Sequence, residues 1–110
     1  MNAERKILSL LSLARKAGKV KSGEFSTEQS VRGGRAQLVI IAADASGNTR
    51  KKFSNMCTYY KVPIFFFGEK EALGHAIGCG QRSSLAVEDA GLGSAVAAAF
   101  GSLTDDRAEE

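Results

Sequence analysis

Gln37-Leu38-Val39-Ile40-Ile41-Ala42-Ala43 is an unbroken apolar run behind a single glutamine, β-branched at Val39, Ile40 and Ile41. A half-exposed strand alternates apolar and polar residues, whereas a strand covered by helices on both faces does not. The run therefore predicts a strand inside a sheet with helices on either side. Two further runs read as strands. One is Val62-Pro63-Ile64-Phe65-Phe66-Phe67, a second buried strand with its proline near the start, where a missing N–H is tolerated. The other is Ser84-Leu85-Ala86-Val87.

The intervening segments repeat apolar residues at helical spacing. Ala3 to Ala17 carries Ile7, Leu10, Leu11 and Ala14, with Asn2 suited to cap its start and Gly18 its end. Lys19 to Ser22 is a connector or brief strand. Ser22 or Gly23 then opens a polar helix over Glu24–Arg32, whose only large apolar residues are Phe25 and Val31, and Gly33-Gly34 ends it. Ser46 or Thr49 caps a helix with Phe53, Met56, Cys57 and Tyr60 on one stripe. A short helix over Glu69–Ile77 has Ala72, Leu73, Ala76 and Ile77 to bury, and a loop follows over 78–83. Asp89 caps a last helix carrying Leu92, Val96, Ala99, Phe100 and Leu103. Helices alternating with strands predict an α/β/α sandwich. A single domain over residues 1–103 and a polar, frayed tail over 104–110 are expected.

With 110 residues the chain can bury a core without metal or disulfide staples. No apolar run approaches the roughly 20 residues that span a bilayer, and no signal-peptide pattern follows the leucines of the first helix, so no membrane partner is expected. Cys57 and Cys79 form neither a CxxC nor a Cys/His cluster, which argues against zinc and for reduced thiols in the cytoplasm. The net charge of +3 conceals an asymmetry: residues 1–61 carry twelve Lys/Arg against four Asp/Glu (+8), and residues 62–110 three against eight (−5). A dipolar molecule with one basic face is suited to a polyanion.

Signals of catalysis are sparse. His75 is the only histidine and has no carboxylate or thiol at catalytic spacing, so it reads as an exposed helix residue. Neither GxGxxG nor GxxxxGK[ST] occurs. Asp44 ends a buried strand, where open α/β sheets place functional groups. Metal-assisted phosphoryl transfer there needs further carboxylates, so Asp44 reads instead as the cap of the following turn. No enzymatic activity, catalytic residue, metal or small-molecule cofactor is expected.

Residues 15–37 are organised differently. Arg15, Lys16, Lys19 and Lys21 lead into Ser22-Gly23 at a helix start, and Arg32 and Arg35 stand at that helix's far end. A helix N-terminus has unpaired N–H groups and a partial positive charge that suit a phosphate or a base edge. Gly23 permits close backbone approach, and the lysines supply salt-dependent attraction.

Three stretches in order, Leu11-Ser12-Leu13-Ala14-Arg15-Lys16-Ala17-Gly18-Lys19 with Ser22-Gly23, Ala36 to Ser46, and Leu73-Gly74-His75-Ala76-Ile77-Gly78, resemble the L-seven-Ae type of ribosomal and kink-turn-binding proteins, and among them the YlxQ-like bacterial members. The resemblance runs from about Leu8 to Leu103. It implies a three-layer α/β/α fold around a small four-stranded mixed sheet. It also implies a ribosomal or ribosome-associated protein with structured RNA, ribosomal RNA included, as partner, in particular the bent internal loop called a kink-turn. A-form RNA hides its major-groove edges, and a kink opens them to a helix end. The family's Gly-x-Asn-Glu-x-x-Lys motif falls on Gly23 to Gln29. Gly23 matches; Phe25, Ser26 and Gln29 replace the Asn, Glu and Lys. Phe25 either stacks on a base or belongs to the core. The family's capping loop falls on 78–84, here polar, with Arg82 placed to meet phosphate beside Ser83. The expected RNA surface is therefore Arg15, Lys16, Lys19, Lys21, Ser22, Gly23, Glu24, Phe25, Ser26, Gln29, Arg32, Arg82 and Ser83. The replaced motif positions leave one alternative, a protein-interaction module of the same fold that has lost RNA reading.

Overall fold

The computed structural model describes the backbone of residues 2–108 and the side chains of residues 2–103. The elements are α1 (Ala3–Lys16), β1 (Val20–Ser22), α2 (Glu24–Arg32), β2 (Leu38–Ile41), α3 (Gly47–Tyr60), β3 (Ile64–Phe66), α4 (Lys70–Ala76), β4 (Ser84–Val87) and α5 (Ala90–Ala108). The sheet order is β1-β4-β2-β3. β4 runs antiparallel to both neighbours, and β2 and β3 are parallel, with Val39 opposite Ile64. The result is the α/β/α sandwich with a four-stranded mixed sheet. Helix α1 packs against both α5 and α4, α2 packs on α3, and the sheet lies between.

Central strands β2 and β4 are buried at every position, as an unbroken apolar run requires. Phe53, Ile7, Leu11 and Leu73 fill the space between sheet and helices. Burying side chains of this size stabilises by about 1.5–3 kcal/mol each. Helix ends follow local chemistry. Asn2 accepts from Arg5 N at 2.8 Å and Ser46 from Thr49 N at 3.2 Å. Gly18, at φ 73°, closes α1, and Asp89 accepts from Leu92 N at 2.8 Å at the start of α5.

Several details depart from the sequence expectation. The Val62–Phe67 run yields only the short strand Ile64–Phe66, and at the sheet edge it stays partly open, with Phe66 exposed. Ala72 is exposed, because α4 turns the Leu73–Gly74–Ile77 side inward. Helix α5 continues to Ala108, past Leu103, while Glu109 and Glu110 lie outside the described residues. Asp44 caps no turn of its own. Its carboxylate accepts from Lys70 N at 2.9 Å, twenty-six residues on, and so caps α4, whose own cap residue Glu69 makes no side-chain hydrogen bond. Asp44→Ala should therefore lower stability by about 1 kcal/mol, read as a shift of the urea midpoint; no shift would mean the cap carries nothing.

Candidate nucleic-acid interface

Gly23 stands at the junction of β1 and α2 with φ 90° and ψ 160°. Its N–H donates to Ser84 O (3.1 Å), and its carbonyl accepts the first α2 bond, from Thr27 N (3.0 Å). The amides of Glu24, Phe25 and Ser26 lie between these two bonds and have no partner among the described residues. Unpaired N–H groups at a helix start concentrate the positive end of the helix dipole.

Beside this tip lies an open hollow of about 340 Å³, lined by Ser22, Gly23, Glu24 and Thr49 on one side and by Gln81, Arg82, Ser83 and Ser84 on the other. Arg82 is fixed within it. Its N–H donates to Lys70 O (3.0 Å), Nε donates to Ser22 Oγ (3.1 Å), and Nη1 donates to Gln81 O (2.9 Å) and Gly80 O (3.4 Å). Nη2 carries no hydrogen bond among the described residues. The Ser84 hydroxyl is buried, 1% exposed, and also lacks a partner among the described residues.

The loop 78–83 is held against α4. Cys79 N donates to Gly74 O (2.8 Å), and the backbone of Gly80 lies where a side chain on Gly74 would go. Behind the loop is a larger depression of about 680 Å³ lined by Glu69, Glu71, His75 and Cys79. Its carboxylates would repel phosphate, so charge and not size makes the α2 side the candidate interface. Among the described residues no three His, Cys, Asp or Glu gather as a metal site.

The structure brings Ser22, Gly23, Glu24, Arg82 and Ser83 together around one hollow, with Phe25 and Ser26 in the same helical turn. Phe25 is 74% exposed, which removes it from the core. Arg15 does not line the hollow; its Nε donates to Ile77 O (3.4 Å), at the far end of the 78–83 loop from Arg82. Lys16, Lys19 and Lys21 are exposed. Lys21 lies on edge strand β1, and Lys19 precedes it at the end where its carbonyl accepts from Glu88 N, roughly 10 Å of strand from the tip. Gln29 and Arg32 occupy the far half of α2, a helix roughly 13 Å long. There Arg32 pairs with Glu28 (3.5 Å), and Gln29 O accepts from Arg35 (3.3 Å). Arg35 also pairs with Glu88, which accepts from the buried Ser30 hydroxyl. These two sites are therefore separated from the hollow.

Sequence reasoning missed Lys52, Thr49 and Ser84. Lys52 reaches from α3 to Glu24 (3.2 Å) and Glu28 (2.7 Å). Hydrogen bonding from Lys52 lowers the Glu28 pKa, and the two carboxylates raise that of Lys52, Glu28 first. Glu28's contribution is in place above the ordinary carboxylate value of 4.5 and is lost as pH falls through the lowered one. The charge order along α2 and α3 gave no sign of this pairing, because it depends on how two helices cross. A hydroxyl heading an apolar strand was the one available signal for Ser84.

The two thiols differ. Burial pushes Cys57 up to about 11, while Cys79 is only half-buried. A thiol-specific reagent at pH 8 should modify Cys79 in the native protein and leave Cys57 until the chain unfolds. Equal native rates, followed by mass spectrometry of the labelled peptides, would contradict this burial.

Known proteins carry the same arrangement of elements. A solved protein from Bacillus halodurans, described as of unknown function, superposes with a TM-score of 0.84 at 38% identity, covering 87% of this chain and 97% of that one. The Giardia lamblia 15.5kD RNA binding protein superposes with a TM-score of 0.78 at 29% identity, covering 90% and 85%. The RNA-binding protein YlxQ of Bacillus subtilis (strain 168) is 45% identical over 83 residues, 76% of this chain and 83% of its own. Its Enterococcus faecium namesake is 43% identical over 68 residues, 61% and 66%. With a family profile matching residues 5–96 in addition to these likenesses, the chain belongs to the ribosomal protein L7Ae/L30e/S12e/Gadd45 family.

Proposed function

We propose that the chain binds structured RNA without catalysing a reaction, and that it does so in the cytoplasm as a ribosomal or ribosome-associated protein. The kink-turn, or a related internal loop, is the proposed target. The observation that carries this reading is the open tip of α2: amides and an Arg82 Nη2 without partners among the described residues, around a hollow that is open to solvent. Relatives of the same fold named as RNA-binding proteins support it. A polyanion bent sharply enough to present its backbone to a helix end fits such a tip, whereas a straight A-form duplex does not reach it.

Lys16, Lys19 and Lys21 supply the long-range part. They lie off the hollow, so they attract phosphate without selecting sequence. A filter-binding titration against a kink-turn RNA should show submicromolar affinity at low salt that weakens steeply as salt rises. Reversing Lys16 and Lys19 to Glu should weaken binding to all RNAs alike. No retention of RNA at low salt ends the proposal.

A further inference from the structure

We infer that the α2 tip grips one nucleotide of the RNA by its backbone phosphate and by stacking on Phe25, and leaves the edge of its base unread. This rests on the RNA-binding reading above and specifies how that site engages its ligand.

The hollow is a cluster of donors. The amides of Glu24, Phe25 and Ser26, the free Nη2 of Arg82 and the buried hydroxyl of Ser84 all lack partners among the described residues. A phosphodiester's anionic oxygens accept only, which matches a donor set at a helix N-terminus. The one carboxylate on the rim, Glu24, is drawn off by Lys52 at 3.2 Å. The Ser84 hydroxyl is the independent sign of a ligand. A buried hydroxyl left unpaired costs free energy, and the residue that carries this one is among those that line the hollow.

Phe25 follows Glu24 in the first turn, 74% exposed, so it buries little within the chain. Its ring offers an apolar face one residue beyond the phosphate donors, and an unstacked base has a matching face. Stacking of this kind tolerates any base, because each has a π-face. The side chains of Phe25 and Ser26 lack the two-pronged amide, carboxylate or guanidinium that reads a purine edge by two hydrogen bonds. The site thus recognises a splayed nucleotide by shape and charge, and RNA selectivity comes from the geometry that splays it.

The test uses the full chain and a synthetic RNA hairpin with a purine-rich asymmetric internal loop. Each loop phosphate is replaced in turn by a neutral methylphosphonate, and each loop base is changed in turn. One methylphosphonate should weaken binding about tenfold, the scale of a charge-assisted contact, while changing the base of that nucleotide shifts affinity by less than about threefold. Phe25→Ala should also cost about tenfold and Phe25→Trp should restore binding. Phe25 is exposed, so its variants should melt with the parent, which separates lost contact from lost fold. Unchanged binding by Phe25→Ala overturns the inference while RNA binding stands. So does a tenfold base preference with no sensitive phosphate. If the unmodified hairpin is not bound even at low salt, the broader reading falls with it.

Discussion

Gly74→Ala should destabilise the chain by about 3 kcal/mol and lower its melting temperature by roughly 15 °C, the scale of overpacking in a domain of this size. The sign is opposite to helix propensity, since alanine in place of glycine inside a helix ordinarily stabilises by about 1 kcal/mol. Here a Cβ on Gly74 would stand on the carbonyl group of Gly80, 2.6 Å from its carbon and 3.2 Å from Cys79 O. Both neighbours are backbone, and Cys79 N is bonded to Gly74 O, so no side chain can swing aside. The loop has to leave α4, taking Arg82 from the hollow, and RNA affinity should fall with stability. Gly80→Ala is the control. Nothing lies within 4 Å of its added Cβ, and its effect should stay within about 0.5 kcal/mol. Calorimetry on both variants decides the matter; a Gly74→Ala protein that melts with its parent refutes the close approach.

Gly23→Ala should cost about 2 kcal/mol for a different reason. The space around Gly23 is empty, so no clash arises. The penalty comes from φ 90° with ψ 160°, a region essentially closed to residues with a side chain. Relief requires rotation at the entry to α2, which pulls Gly23 N from Ser84 O and turns the free amides away from Arg82. Much of a domain's stability of 5–15 kcal/mol remains, so the variant should be folded and yet bind RNA worse than its small stability loss explains. Urea unfolding and RNA titration of the same sample give the two numbers. An unchanged urea midpoint would contradict the backbone conformation at the junction.

The elements that were legible in the sequence are those set by short-range chemistry. The Leu38–Ile41 run read as a central strand because the helices on both faces leave no solvent side. Asn2, Ser46 and Asp89 announced helix starts, and Gly18 and Gly33 helix ends. Three things depended on the chain's return from a distance. Edge position decided that Phe66 stays exposed. The placement of Gly68 to Lys70 beside β2 gave Asp44 its partner. The crossing of α2 and α3 set Lys52 between Glu24 and Glu28. The candidate site divided along the same line. Ser22, Gly23 and Arg82 meet because β1 and β4 pair, with Ser22 opposite Leu85. Gln29, taken from the family motif, and Arg32, taken from the helix's far end, sit in the second half of α2 and do not line the hollow.

The sheet's two unpaired borders are its two shortest strands. β1 and β3 are three residues each, one carrying Lys21 and the other preceded by Pro63. So brief a ladder, with a charge on one margin and a missing donor beside the other, is a poor template for strand addition by a neighbouring molecule. The long apolar segments that would propagate a fibril, β2 and β4, are sealed in the interior. Copies of the chain brought close together thus meet along short, interrupted margins and not along a ladder that could knit them into aggregates.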